Sequence, residues 1–126
     1  SGIRMDTIRD AAFEVRNFDF FGAPVGLFFY LDRSLTHGSW VDCGMFVQSV
    51  MLQARALGLD TCPQASWLHR QAIVARHLDV PPGEVMVCGM ALGYADPDAL
   101  VNRYQPSRLP VSDLARWYGF DDQPAA

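Results

Sequence analysis

Between Ser39 and Gly58 runs a segment whose apolar residues leave no polar face. Val41, Met45, Phe46, Val50, Met51, Leu52, Ala54 and Leu57 fall around nearly the whole circumference of a helix, with Asp42, Gln48, Ser49, Gln53 and Arg55 as its polar positions. Ser39-Trp40-Val41-Asp42 resembles a capping box with Asp in the usual Glu place, and Gly58 supplies a left-handed stop. A helix that is apolar all round has to be covered on most sides. The chain has 126 residues, half of them apolar, and is expected to form a single domain over 1–126 with few other elements to wrap such a helix. The pattern therefore points either to a subunit interface or to burial in the chain's own core.

The flanking segments supply the rest of the expected fold. From Asp6, a candidate N-cap, Ile8, Ala12, Val15 and Phe18 recur at roughly helical spacing, and Ala23-Pro24 stops that pattern. Residues 25–31 form a continuous β-branched and aromatic run bounded by Asp32-Arg33-Ser34, which reads as a buried strand. Ser66 is expected to cap a helix over 67–78 with Leu68, Ala72, Ala75 and Leu78 facing inward, and Val80-Pro81-Pro82-Gly83 turns the chain into a strand over 84–94. Beyond the Asp96-Pro97-Asp98 turn, 102–110 reads as extended, 112–118 as a short helix ended by Gly119, and 121–126 as a frayed tail. The class is α+β, with a small antiparallel-type sheet packed by helices. Only two strands are strongly indicated, and a two-stranded sheet is marginal in water. A homodimer is the economical expectation.

Charge and composition narrow the function. A net charge of -4 without any Lys/Arg cluster gives nothing to neutralise a polyphosphate, so nucleic acid is not an expected partner. The apolar runs at 23–31 and 85–95 are well short of the roughly 20 residues of a membrane span, and no secretory signal is visible. Ser1-Gly2-Ile3-Arg4 reads as a candidate expression remnant ahead of Met5. The three cysteines, Cys43, Cys62 and Cys88, are odd in number and widely spaced, which suits buried thiols in a reducing cytoplasm; a reactive Cys62 beside Pro63 is the functional alternative. His37 precedes the apolar helix, while His69 and His77 are eight apart, too far for an i, i+4 metal pair, and no metal site is expected.

Several motifs, in order, carry a resemblance. They are Phe20-Phe21-Gly22-Ala23-Pro24-Val25-Gly26-Leu27, Gly58-Leu59-Asp60-Thr61-Cys62-Pro63-Gln64, the strand Val85-Met86-Val87-Cys88-Gly89-Met90-Ala91-Leu92-Gly93-Tyr94 with Ala95-Asp96-Pro97-Asp98, and Asn102-Arg103-Tyr104-Gln105-Pro106-Ser107-Arg108-Leu109-Pro110. Over 17–120 the chain resembles the C-terminal portion of the flavin-dependent nitroreductase family. Those enzymes carry an N-terminal Arg-Arg-Ser-x-Arg type segment for the flavin phosphate and ribityl chain, and nothing before Phe20 matches it. The chain is expected to correspond to roughly half of such an enzyme. The resemblance implies an intertwined dimer whose long central helices meet, with flavin sites between subunits. It also implies a bound flavin mononucleotide (FMN) that takes hydride from NAD(P)H and passes electrons to a nitroaromatic or quinone in a ping-pong cycle.

Residue by residue, the resemblance places Pro63, Gln64 and Ala65 at the loop whose backbone N–H groups face the flavin N5 and O4 edge. Proline has no N–H, so Gln64 and Ala65 would be the donors, leading into a helix N-terminus. Read from the residues alone, Ser66 simply caps a helix and Pro63 shapes a loop. Ser107 and Arg108 match the segment that reaches the flavin phosphate, for which a guanidinium and a hydroxyl are suitable donors, and Arg103 could supplement them where Pro106 stands in place of a further basic residue. The alternative is a plain surface arginine. Trp40 and Phe46 are candidates for the substrate side of the flavin, against the simpler reading of core aromatics. No side chain is singled out as an obligatory acid or base.

Two expectations of different class follow. One is an FMN oxidoreductase, which would be yellow. The other is a cofactor-free, degenerate relative that keeps the dimeric scaffold as a binding or interaction module, which would be colourless.

Overall fold

The computed structural model describes residues 15–119. The helix expected from Asp6, with Ile8 and Ala12, and the tail at 121–126 lie outside the described residues. The elements are β1 (Val25–Asp32), α1 (His37–Ala56), β2 (Asp60–Gln64), α2 (Gln71–His77), β3 (Glu84–Gly93) and α3 (Val111–Leu114), with 3-10 segments at Arg16–Gly22, Ala65–Arg70 and Leu100–Arg103. The sheet is antiparallel in the order β1-β3-β2, so the α+β expectation stands with three strands instead of two. The added strand, β2, has the sequence Asp-Thr-Cys-Pro-Gln, poor in the β-branched and aromatic residues that mark strands. It lies at the sheet edge, where a proline costs no ladder bond on its open side.

β3 is paired on both edges, and its residues feed two cores. On one face Met90 meets Cys43 and Val47 of α1, with Leu27, Phe29, Leu31, Val87 and Cys88 packed around them. On the other, Met86 meets Trp67 and Val74, with Phe18, Phe20, Phe28 and Tyr30 around them. Strict alternation could not give this division, because Met86, Cys88 and Met90 would share a face. The register supplies the answer: Phe29 pairs with Cys88 but Tyr30 with Met86, so one extra residue bulges from β3. The bulge switches Met86 to the second core while Cys88 and Met90 stay on the first.

α1 begins at His37, two residues before the expected Ser39, and its N-cap Thr36 makes no side-chain cap bond. Ser39 instead lies in the first turn, its N–H donating to the Thr36 carbonyl at 3.0 Å, so the capping box is not formed. The helix end follows expectation. Gly58 is left-handed at φ 77°, and the N–H groups of Leu59 and Gly58 reach the carbonyls of Ala54 and Arg55 at 2.9 and 3.1 Å, a Schellman closure. Cys43, Val47 and Ala54 are buried against the sheet. Val41, Met45 and Leu52, at i, i+4 and i+11 on the opposite side, are 62%, 58% and 62% exposed. Among the described residues the apolar helix is therefore covered on one side only.

The helix expected over 67–78 is split. A 3-10 stretch at Ala65–Arg70 precedes α2, and Ser66 caps neither. Three residues per turn in the first part shift the phase of the inward face. Trp67 and Val74 are buried instead of Leu68, Ala72 and Leu78, which are exposed. Near the C-terminus, Asn102 falls in the 3-10 segment Leu100–Arg103 instead of an extended run, and α3 ends at Leu114, with Ala115 already extended. Among the described residues no helix is long and apolar enough to cross a membrane.

Two glycines make room for rings. A Cβ on Gly89 would lie 2.4 Å from Trp67 Cδ1, and one on Gly26 would lie 2.3 Å from the Phe20 ring. Phe20, in turn, stacks on Trp67 at 4.7 Å between centroids and 29° between planes. The Tyr30 hydroxyl beside this cluster is buried with no hydrogen-bond partner among the described residues, and burial, then Glu84, push its pKa up. At the end of β1, Asp32 accepts from the Ser34 hydroxyl at 2.6 Å and the Ser34 N–H at 2.8 Å, and these bonds hold its carboxyl below the usual range.

Gly89→Ala is expected to cost about 1–3 kcal/mol in urea unfolding, because the added methyl must displace the Trp67 ring from its seat. An unchanged midpoint would show that the ring has slack that this packing denies it.

Candidate functional site

The most constrained polar group among the described residues is Gln64, the last residue of β2, whose residue exposure is 3%. A buried carboxamide needs partners for two N–H donors and a carbonyl. Gln64 finds all three. Nε2 donates to the Asn17 backbone carbonyl at 2.9 Å and to Asn17 Oδ1 at 3.2 Å, and Oε1 accepts from Trp67 Nε1 at 3.3 Å. The indole can only donate and a backbone carbonyl can only accept, so chemistry fixes which way the amide faces.

Pro63 and Gln64 are thus strand residues, opposite Met90 and Gly89, not loop residues. Ala65 opens the 3-10 segment, so no α-helix N-terminus follows directly. Among the described residues their backbone lies at the sheet edge, and the Gln64 side chain anchors it to Asn17 and Trp67.

Cys62 sits beside them, opposite Ala91, on the border of an open groove of about 310 Å³ that Phe20, Phe21, Tyr94 and Asp96 also line. The residue is exposed, yet the protein around its sulfur pushes the thiol pKa up. Its sulfur lies 3.9 Å from the Pro63 carbonyl oxygen. That environment disfavours the thiolate that a nucleophile needs, and the reactive reading of Cys62 loses its support. Burial likewise pushes up the Cys88 thiol, with Cys43 adding to the effect.

The expected phosphate-arm residues lie apart from this segment. Arg108 is exposed and uses only Nη1, donating to the Pro106 carbonyl at 3.1 Å and the Ser107 carbonyl at 3.3 Å. Arg103 makes an exposed pair with Asp98 at 3.4 Å, an arrangement worth little in water. No hydrogen bond among the described residues joins Arg103, Ser107 or Arg108 to residues 63–65. Trp40 is in the first turns of α1, 42% exposed over a depression of about 440 Å³ with Leu35, Thr36 and His37. Phe46 is 59% exposed, its ring edge-on to Phe29 at 6.1 Å. Both are carried by α1, on the face of the sheet opposite the Gln64 carboxamide. His69 and His77 fall on different elements, and no group of three metal-ligating side chains occurs among the described residues.

Sequence reasoning overlooked the Gln64 side chain. The i, i+3 spacing of Gln64 and Trp67 was the available signal, whereas Asn17, 47 positions earlier, offered none.

A family model described as "Nitroreductase family" matches residues 4–94, a span that includes Pro63, Gln64 and Ala65 and stops short of Arg103, Ser107 and Arg108. A 4-nitrobenzoate reductase from Pseudomonas putida is 47% identical over 105 residues, covering 83% of this chain and 46% of the relative. A chloronitrobenzene nitroreductase from Comamonas testosteroni is 41% identical over 99 residues, covering 79% and 44%. The chain thus spans about half the length of the curated relatives it matches. Among solved structures, an FMN- and NADPH-dependent nitroreductase, NfnB, from Sphigopyxis sp. strain HMH superposes with a TM-score of 0.86 at 36% identity, covering 94% of this chain and 53% of that one. An FMN-dependent NfnB from Mycobacterium smegmatis, solved with NADPH, gives 0.82 at 27% identity, covering 87% and 51%.

Because its pKa is raised, Cys62 should be alkylated by iodoacetamide at about pH 7.5 more slowly than free cysteine, and should speed up only above the ordinary thiol pKa of about 8.5. Rates followed peptide by peptide test this, and a faster Cys62 would reveal an activated thiol.

Proposed function

Because the chain belongs to the nitroreductase family, we propose that it forms part of an FMN oxidoreductase that passes electrons from NAD(P)H to nitroaromatic or quinone-type acceptors. The observation that carries this reading is the 47% identity shared with a 4-nitrobenzoate reductase over 83% of the chain. FMN, when bound, would supply the hydride and electron chemistry; the protein's share is binding, orientation and electrostatics.

The donor set suits that group. Of the two backbone N–H groups expected at the electron-rich ring edge, only that of Ala65 follows on the open side: Pro63 has none, and Gln64, paired with Gly89, turns its own toward β3. Arg108 has a guanidinium fork largely uncommitted, with Nη1 alone engaged, and so is free to turn toward a phosphate. Ser107 adds a hydroxyl, and Arg103 could exchange its loose contact with Asp98 for a phosphate oxygen. Trp40 and Phe46 offer exposed aromatic surface suited to covering a flat acceptor and keeping water from it.

We further propose that the protein acts as a homodimer. The support is physical: Val41, Met45 and Leu52 leave an apolar stripe on α1 in water, and one copy places its aromatic candidates and its ring-edge candidates on opposite faces of the sheet. A second copy would cover the stripe and could bring the two sets into one site. The cytoplasm is the compartment we assign, since Cys43, Cys62 and Cys88 are all free thiols.

FMN titration of the purified chain, read by flavin fluorescence and visible absorbance, is expected to show saturable binding. Arg108→Ala should weaken it about tenfold to a hundredfold, the worth of one charge-assisted contact. Wild type that stays colourless at high FMN would favour the cofactor-free scaffold, and unaltered affinity in the variant would remove Arg108 from the phosphate site. For the assembly, light scattering should find a dimer in wild type and a monomer in Met45→Glu, which puts a charge in the stripe. A monomeric wild type would refute the dimer.

A further inference from the structure

The one buried polar side chain among the described residues belongs to the residue whose backbone is placed at the flavin ring edge. We infer that the Gln64 carboxamide is a positioning group: it fixes the backbone at the end of β2 so that the Ala65 N–H, on the open side of the strand, holds a set direction before any ligand arrives. This rests on the reading above, in which residues 63–65 face the ring.

β2 is a five-residue edge strand, bonded on one side only, and it runs directly into a 3-10 segment with no side-chain cap. Local structure alone therefore leaves the junction free to fray. The carboxamide replaces that missing restraint with long-range ones. Two bonds go to Asn17 in the 3-10 segment Arg16–Gly22, and one comes from Trp67.

Trp67 is itself buried and closely packed. Its ring fits the space left by the absent Cβ of Gly89, the residue opposite Gln64 in the sheet, and packs against Phe18, Phe20 and Phe28 at 5.3, 4.7 and 5.0 Å. Gln64 is thus held through its side chain by the same ring that its sheet partner accommodates. Donors held in place before binding need no reorganisation when charge develops opposite them, which is where fixed dipoles are most effective. A leucine or methionine would fill the space equally well. The use of a fully bonded carboxamide fits a demand for direction, since bonds fix orientation and apolar contacts do not.

The test compares wild type, Gln64→Met and Val74→Ala as full chains. Gln64→Met keeps the volume and loses all three bonds, while Val74→Ala loosens the same core without touching them. Amide hydrogen exchange is measured without flavin, and FMN affinity and the visible spectrum of bound FMN are measured alongside. The expected result is exchange at residues 64 and 65 faster by about tenfold, FMN binding weaker by about tenfold and a shifted flavin spectrum in Gln64→Met, with Val74→Ala like wild type on all three. If Gln64→Met matches Val74→Ala in exchange and binding while wild type binds FMN, the inference is overturned and the proposed function survives. If wild type binds no FMN, the proposed function falls and takes the ring-edge role with it. Should Gln64→Met fail to fold, Trp67→Phe keeps a smaller ring and removes the indole donor, and the same comparison with Val74→Ala, which also loosens this core, decides.

Discussion

The fold depends on a single strand having two different faces to serve. Among the described residues β3 is the only strand bonded on both sides, and each of the two cores is built on one of its surfaces. The bulge opposite Phe29 and Tyr30 assigns each residue to its surface. Without that extra residue, Met86 would point at α1, and the Trp67 cluster would lose one of the three residues buried at its centre. The irregularity is thus what allows one short sheet to be packed on both sides. It also explains why Gly89 matters: at the point where the second face must admit an indole ring, any Cβ would occupy the ring's space.

The two sides are finished to different standards. The second face is closed by interlocked rings, Phe20 and Phe28 against Trp67 and Arg70 over Phe18 at 5.4 Å. The first face is covered by α1, but the helix's own outer stripe is left in water. A side chain the size of leucine contributes about 1.5–3 kcal/mol when fully buried, so three such residues left exposed form a surface suited to association. Near the helix's end, Arg55 bonds one oxygen of Asp60 at 2.8 Å, and the other oxygen accepts the Ala95 N–H at 3.0 Å. This exposed junction adds little stability, yet it fixes where β2 starts relative to the end of β3.

What could be read from the sequence was whatever local chemistry controls. The strand at 25–31, the strand at 84–94 and the Gly58 stop were legible because β-branched runs and a left-handed glycine are local signals. β2 was not, since its five residues include Asp, Pro and Gln and become a strand only because β3 offers an edge. The start of α1 was misplaced because Ser39 and Asp42 satisfy a capping pattern that the chain does not use; the helix extends back to His37 without a side-chain cap. The inward face of the 67–78 segment was misassigned because a 3-10 turn cannot be told from an α turn by composition. For the site, the motif Pro63-Gln64-Ala65 was legible through resemblance, while the partners of Gln64 were not: contact with Asn17 is a property of the folded chain.

Asn17 also connects the site segment to a strained stretch of backbone. Phe20 and Phe21 are both left-handed, at φ 55° and 57°, a conformation that costs a non-glycine residue about 1–2 kcal/mol. Two such residues in succession persist only where their surroundings over-determine them. Here the Phe20 ring is stacked on Trp67 and edge-on to Phe28 at 5.5 Å, over the missing Cβ of Gly26, and Arg16 donates to the Phe21 carbonyl at 3.2 Å. Aromatic pairs of this kind contribute about 0.5–1.5 kcal/mol each beyond burial, enough to offset much of the strain. Trp67 is in turn bonded to Gln64, and Gln64 to Asn17, three residues before the strained pair. The strained turn, the aromatic stack and the end of β2 therefore form one mechanical unit. The Gln64 carboxamide is the link by which the stack and the strained turn bear on the geometry of this sheet edge.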